Sequence, residues 1–149
     1  MEPRTEKPHP THRRGLAVSF LVDTDICSSH LKQAGAMTTR FQQFAGQLHV
    51  SVITVGELYT WALRASAPPR RLQSLLDLLN DITPLDITSQ IAHKFGEVRT
   101  SLLDVGTPAP DLDLLIPATA LVHNLTLVTH NTRDYANVPG LRVHDWLSP

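Results

Sequence analysis

Five short apolar runs, at residues 16–22, 48–53, 82–86, 125–129 and 141–143, alternate with stretches whose apolar residues recur at helical spacing. No other feature narrows the possible folds so far. Strands separated by helix-length segments join as parallel neighbours through crossovers. The expectation is therefore an α/β domain, a three-layer sandwich with a central, mostly parallel sheet flanked by helices. Thr24 and Asp25 are suitable N-caps for a helix reaching about residue 34, with Gly35 to close it. Thr38 is expected to cap a short helix that Gly46 ends. Thr54-Val55-Gly56-Glu57 has capping-box spacing, followed by Leu58, Trp61, Ala62 and Ala65 on one face. Past the Pro68-Pro69 break, Leu72, Leu75, Leu76 and Leu79 define another helix. Thr88 caps a longer one with Ile91, Phe95, Val98 and Leu102 inward. A last helix over about 111–124 leads into the clearest core strand, 125–129.

With 149 residues there is room for one such domain and its core, not two. Residues 1–14 are polar, rich in proline and without apolar period, and read as a disordered extension ahead of a domain over 15–149. The net charge of -1 argues against a protein that passively coats nucleic acid, which needs a strong basic excess. Ten arginines stand against three lysines, however, and the arginine fork suits phosphate. Cys27 is the single cysteine, so no intrachain disulfide forms, which fits a reducing cytoplasm. No apolar run approaches the ~20 residues a membrane span needs. Arg13-Arg14 precedes an apolar stretch, but that stretch stops at Asp23 without a small-residue cleavage site; it reads as a strand rather than an export signal.

The acids carry the chemistry through their positions. Asp23 directly follows the first strand, Glu57 lies about one turn into the helix after the second, and Asn131 and Asp134 form a turn after the fourth. In an open parallel sheet these are the carboxyl ends of strands, where α/β proteins bind ligands. Asp113 opens the helix that feeds strand 125–129 and reaches the same edge if the loop before it crosses over. Carboxylates gathered in one cleft repel each other unless cations occupy it. An oxygen-only donor set, without Cys or His at metal spacing, suits Mg2+ or Mn2+ rather than zinc. Such ions serve phosphodiester cleavage. Taken singly, each acid also has a purely structural reading: Asp23 and Asp25 as caps, Glu57 as the third member of a capping box, Asp113 or Asp111 as a first-turn acid, Asp134 as a turn residue. Shared position at matching strand ends favours one common cause. The histidines show no ligand pattern, Cys27 reads as a packing residue, and Tyr59 and Trp61 read as core or dimer-contact aromatics.

The same residues carry a family likeness. Phe20-Leu21-Val22-Asp23-Thr24-Asp25-Ile26 resembles the opening block of PIN domains, with Asp25 in place of the commoner Asn. Val50-Ser51-Val52-Ile53-Thr54-Val55-Gly56-Glu57-Leu58 resembles the second block. The third is matched by Gly106-Thr107-Pro108 through Asp113-Leu114-Leu115-Ile116, where Pro117 replaces a usual Ala. Leu127-Val128-Thr129-His130-Asn131-Thr132-Arg133-Asp134-Tyr135 resembles the fourth. The likeness covers about residues 16–146 and is greatest to the VapC-type toxins of toxin–antitoxin pairs. It implies a PIN-like fold and a Mg2+-dependent endoribonuclease, often a homodimer, inhibited by a small VapB-like antitoxin that occludes the site. Matching blocks give Asp23, Glu57 and Asp113 the metal-binding places. Asn131 falls where many members have a fourth Asp, Asp134 falls at a nearby acidic place, and Thr129 matches a hydroxyl that orients a carboxylate or water.

Other functions stay open at this point. A structure-selective DNA nuclease normally needs additional helical clamps, for which the chain has little room. A signalling receiver domain needs a Lys after a late strand, whereas the lysines are Lys7, Lys32 and Lys94. A PIN fold kept as a weakly catalytic RNA-binding module is opposed by the intact Asp23, Glu57 and Asp113, but is compatible with Asn131. Arg40, Arg64, Arg99 and Arg133 are candidates for contacts to the nucleic-acid backbone.

Overall fold

Strands β1 (Phe20–Val22), β2 (Leu48–Ser51), β3 (Thr83–Leu85), β4 (Thr126–Val128) and β5 (Val143–His144) form a single sheet in the order β3-β2-β1-β4-β5. Each neighbouring pair is parallel, as the alternating pattern predicts. The computed structural model describes residues 18–33, 35–107 and 112–148; the expected disordered extension at 1–14 and Asp111 lie outside them. The crossovers are α1 (Thr24–Lys32) with α2 (Thr38–Gln43), α3 (Val52–Ala62) with α4 (Arg70–Asp81), and α5 (Ser89–Asp104) with α6 (Leu115–Val122). A short α7 (Thr132–Tyr135) joins β4 to β5.

The pleat divides the core in two. β1 turns Phe20 and Val22 to one face and Leu21 to the other, and β4 divides Val128 and Leu127 in the same way. The first face packs on Ile26, Cys27, Leu58 and Leu75 from α1, α3 and α4. The second packs on Val98, Leu102, Leu114, Ile116 and Tyr135 from α5, α6 and their neighbours. Cys27 is fully buried and fills space, as expected. Burial of both faces explains why the strands are continuous apolar runs rather than alternating ones. No helix among the described residues is long and apolar enough to cross a membrane.

Several helix starts differ from expectation, for local reasons. Of the cap candidates Asp23, Thr24 and Asp25, it is Asp23 that caps α1. Residue 38 is the first of α2 rather than its cap; Met37 holds the cap position without a side-chain bond. α3 begins at Val52 because Ser51 ends the strand and accepts the Ile53 N–H at 3.1 Å. Glu57 therefore sits in the second turn, and the capping-box reading of it is wrong. Thr54 is fully buried, its hydroxyl engaged by Thr24 Oγ1 at 3.0 Å. Thr88 caps α5 as anticipated, accepting from Ile91 N at 3.2 Å.

The helix expected over 111–124 is instead a 3-10 turn (Leu112–Leu114) followed by α6. Pro117 accounts for the break. Its ring clashes with a carbonyl four residues back, that of Asp113, and it lacks the N–H to bond it. With α6 starting at Leu115, Pro117 lies in the first turn, where amides have no helical partner anyway. The Asp113 carbonyl is met instead by the Tyr135 hydroxyl at 3.5 Å.

From β1 the chain winds outward to β2 and β3, then returns to the other side of β1 for β4 and β5. Connections diverge between β1 and β4, opening a crevice beyond their carboxyl ends. Asp23 and Thr129 are the residues that follow those ends. Leu127 anchors this region from within the sheet and is fully buried, whereas Leu103 on α5 is 55% exposed. Urea unfolding is expected to show Leu127→Ala losing about 2–5 kcal/mol and Leu103→Ala less than about 0.5 kcal/mol.

Candidate active site

The Thr129 hydroxyl is the junction of the crevice. Its oxygen donates to Asp23 Oδ2 at 2.9 Å and to Asp25 Oδ2 at 3.3 Å, and accepts the Asn131 N–H at 3.0 Å. Asp23 Oδ1 accepts the Thr24 N–H at 2.8 Å, the capping bond of α1. The Asp23 N–H is held by the Val128 carbonyl at 2.9 Å, which continues the β1–β4 ladder into the site. Asp25 Oδ2 also accepts the His130 N–H at 2.9 Å, and its Oδ1 accepts from Ile26 N at 2.8 Å. Two carboxylates on α1 are thus tied to the residues that leave β4.

Glu57 reaches the same field from α3, whose register against α1 is fixed by the Thr24–Thr54 hydroxyl contact one turn earlier. Asp23 is 8% exposed. Burial first, then the negative charges of Asp25 and Glu57, push its carboxyl up to about 6 against the pull of its two hydrogen bonds. Asp113, on the 3-10 turn, and Asp134, on α7, face a second sensor. Tyr135 is buried among them, and burial followed by Asp23, Asp113, Asp25 and Asp134 drives its hydroxyl far above the ordinary phenol range. It remains protonated and donates to the Asp113 carbonyl.

Asp23, Glu57, Asp113 and Asp134 are therefore brought into one electrostatic neighbourhood, from elements up to 111 residues apart in sequence. The expected turn at Asn131 and Asp134 is the start of α7, where Asn131 Nδ2 donates to Asp134 Oδ2 at 2.7 Å. Asp25 joins the cluster although it was expected to act only as a cap. Its place two residues after Asp23, at the N-terminus of the same helix, was the available signal. His130 is directed to Asp145 Oδ2 at 3.0 Å. Asp145 lies beyond β5 and is held down to about 2, chiefly by the Ser148 hydroxyl; nothing in its sequence surroundings marked it. Tyr59 and Trp61 pack against the core, as expected. Arg40 lies over the Trp146 ring at 5.7 Å, Arg64 lines a cleft beside Glu57, Arg133 is exposed on α7, and Arg99 is on α5.

Among the described residues, no three His, Cys, Asp or Glu side chains close on a single point as a ligand cage for a metal ion. The acids share a field rather than a coordination shell. That suits a cation such as Mg2+, which keeps several waters and takes only one or two carboxylates directly. The donor set fits: all oxygen, negatively charged, and destabilised by its own repulsion at Asp23.

A model of the family described as "PIN domain" matches residues 20–141. The chain is 32% identical over 130 residues to a tRNA(fMet)-specific endonuclease VapC of Shigella flexneri, covering 87% of this chain and 98% of that protein. It is 33% identical over 131 residues to Ribonuclease VapC2 of Haemophilus influenzae, covering 87% and 99%. Among solved structures, DNA-bound VapBC from Salmonella typhimurium is similar at a TM-score of 0.81 and 31% identity, with 87% and 98% covered.

The Asp23 shift gives a stability prediction for the metal-free protein. Raised from 3.8 to about 6, the carboxyl costs about 3 kcal/mol to keep ionised in the fold. The cost is full above pH 6, where Asp23 is ionised folded and unfolded, shrinks as pH falls from 6 to 3.8, and vanishes only below 3.8, where it is protonated in both. Asp23→Asn keeps the α1 cap and lets the amide donate to Thr129 Oγ1, whose proton then serves Asp25. In chelator, Asp23→Asn is expected to be more stable than the parent by about 1–3 kcal/mol at pH 7.5, with the gap closing toward pH 4. The comparison must be a difference between the two proteins. His30, whose imidazole is lowered by burial, opposes the Asp23 trend by losing stability as pH falls below its unfolded value. A gap that is absent at pH 7.5, or independent of pH, contradicts the assignment.

Proposed function

The chain belongs to the PIN domain family, and on that premise we propose that it is a VapC-type ribonuclease, the toxin half of a toxin–antitoxin pair. The observation that carries the reading is the pairing of Asp23 and Asp25 on the Thr129 hydroxyl where β1 and β4 end, with Glu57 near enough to act on Asp23 and Asp113 and Asp134 near enough to act on the neighbouring Tyr135. A purely structural role for these acids leaves their repulsion unexplained. Asp23, Glu57 and Asp113 would hold Mg2+, or Mn2+ in its place, one or two of them directly and the rest through its waters. A divalent cation there supplies charge neutralisation for the phosphate and an acidified water. Hydrolysis adds water across the P–O3′ bond: the water oxygen bonds to phosphorus, the 3′ oxygen leaves and takes a proton, and the products carry 5′-phosphate and 3′-hydroxyl ends.

The chain's own groups prepare that step. Thr129 and the Thr24 N–H hold the Asp23 carboxylate in one orientation, so it spends little entropy on alignment. Asn131, tied to Asp134, contributes a neutral amide to the edge where a further carboxylate would add repulsion. A small VapB-like antitoxin is part of the proposal, supported by the VapBC complex to which the chain is similar. A homodimer is included as well.

Purified protein incubated with structured RNAs and Mg2+ is expected to cut, with chelator stopping it and Mn2+ restoring it. Asp23→Asn and Asp113→Asn are each expected to abolish cutting while circular dichroism stays unchanged. Thr129→Val, which removes the hydroxyl that orients Asp23 and Asp25 and accepts the Asn131 N–H, is expected to lose about 10–100-fold. Cutting that survives both carboxylate changes rejects the site, and cutting of DNA in preference to RNA rejects the substrate class. Expression alone is expected to arrest growth, with relief by a co-expressed neighbouring small gene.

A further inference from the structure

Next to Glu57 the surface holds two adjoining clefts that share Trp61 and Arg71 in their linings. The nearer, of about 460 Å³, also takes in Glu57 and Arg64. The farther, of about 420 Å³, takes in Lys32 and Arg70. Glu57, Trp61 and Arg64 follow one another at i, i+4 and i+7 along α3 and just past its end, so one helical face leads from the acids into the clefts. At 1.5 Å per residue, Arg64 lies about 10 Å beyond Glu57.

Charge in this trough is one-sided. Four of the chain's thirteen Lys and Arg residues line it, and acids flank only its ends: Glu57 next to the crevice, and Asp77 and Asp81 in a further hollow that shares Leu31 and Ser74 with the farther cleft. Lys32, Arg64 and Arg70 are exposed. Among the described residues they have no ion pair or hydrogen bond to neutralise them. Arg71 is different, because it is held. Its guanidinium lies 5.1 Å from the Trp61 ring centre and donates to the Trp61 carbonyl at 3.4 Å. A fixed fork loses less freedom on meeting a phosphate than a mobile one.

We propose that this trough carries the RNA strand away from the cleaved phosphate, with Arg64, Arg71, Arg70 and Lys32 meeting its backbone. The proposal rests on the ribonuclease reading and extends it from the acids to the binding path. Unpaired cations continuous with an acid cluster are the arrangement a polyanion needs to approach carboxylates that would otherwise repel it. The walls offer charge rather than a set of base-reading amides, so the trough positions the strand and leaves sequence choice to other surfaces. Trp61, half-buried with Arg71 on its ring, acts through Arg71 and not as a stacking platform for a base.

The test uses the full chain and a fluorescein-labelled single-stranded oligoribonucleotide, with binding followed by anisotropy across a salt series. Arg64→Gln and Arg70→Gln change exposed positions and leave the core intact. Each is expected to weaken binding about 3–10-fold and to reduce the salt slope by about 0.7, the share of one phosphate contact on a single strand. In cleavage assays KM rises and kcat stays within about twofold, which a folding defect would not produce. Arg71→Lys retains the charge but loses the fork over Trp61, and is expected to weaken binding as well. Lys94→Gln on α5, paired with Glu97 at 3.0 Å, serves as the charge control and leaves both readings unchanged. Unchanged affinity, slope and KM in the Arg64 and Arg70 variants, with wild-type cutting intact, overturns the path and spares the ribonuclease reading. Variants that bind and cut RNA normally but release the antitoxin also overturn it, assigning the trough to an acidic peptide. A wild-type chain that neither binds nor cuts RNA overturns both.

Discussion

One hydroxyl proton, on Thr129, stands between two carboxylates that would otherwise face each other unscreened. Thr129 is fully buried at the end of β4, and the same oxygen receives the Asn131 N–H. It therefore joins the end of the central strand pair, the start of α1 and the entry to α7. A valine would fill similar space but leave the Asn131 amide and both acids without that partner. The arrangement exists only because β1 and β4 are paired in register, Val22 beside Val128, which makes Asp23 and Thr129 immediate neighbours.

The fold was legible wherever the signal was local and repeated. Continuous apolar runs at 16–22, 48–53 and 125–129 indicated strands covered on both faces, and the sheet is parallel throughout. Thr88 was readable as a cap because nothing competes for its hydroxyl. Thr54 was not readable, because the decisive fact is a hydroxyl thirty residues away on Thr24. Pro117 stood inside a helix expected over 111–124; its effect depends on where α6 begins, and it begins so that the proline costs no helical bond. Asp23 and Glu57 stood out from their places after strands, and Asp113 from its place at the start of the segment that feeds β4. Asp25 was passed over because its capping reading was sufficient by itself. Asp145 and its bond to His130 were invisible, since β5 is two residues long and pairs only at the edge of the sheet.

Asp23 shows how far stability and chemistry diverge in this protein. A chain selected only to fold would not bury a carboxylate at 8% exposure beside two others. It would use an asparagine there, which caps a helix equally well. The acid is tolerated because the rest of the sandwich holds it: two hydrophobic layers close over β1, and Leu21 and Val22, immediately before Asp23, are fully buried.

Charge segregation extends the same logic beyond the acids. A net charge of -1 conceals an acidic crevice at the strand ends and a cationic trough along α3 and α4. Each would be poor alone: the acids repel a phosphate, and loose cations bind one without orienting it. Placed in sequence along one helical face, from Glu57 through Trp61 to Arg64, they compensate each other over about 10 Å. The weak overall charge then has a physical use. A uniformly basic surface holds a polyanion in many registers, whereas cations gathered beside the acids favour an approach along one line.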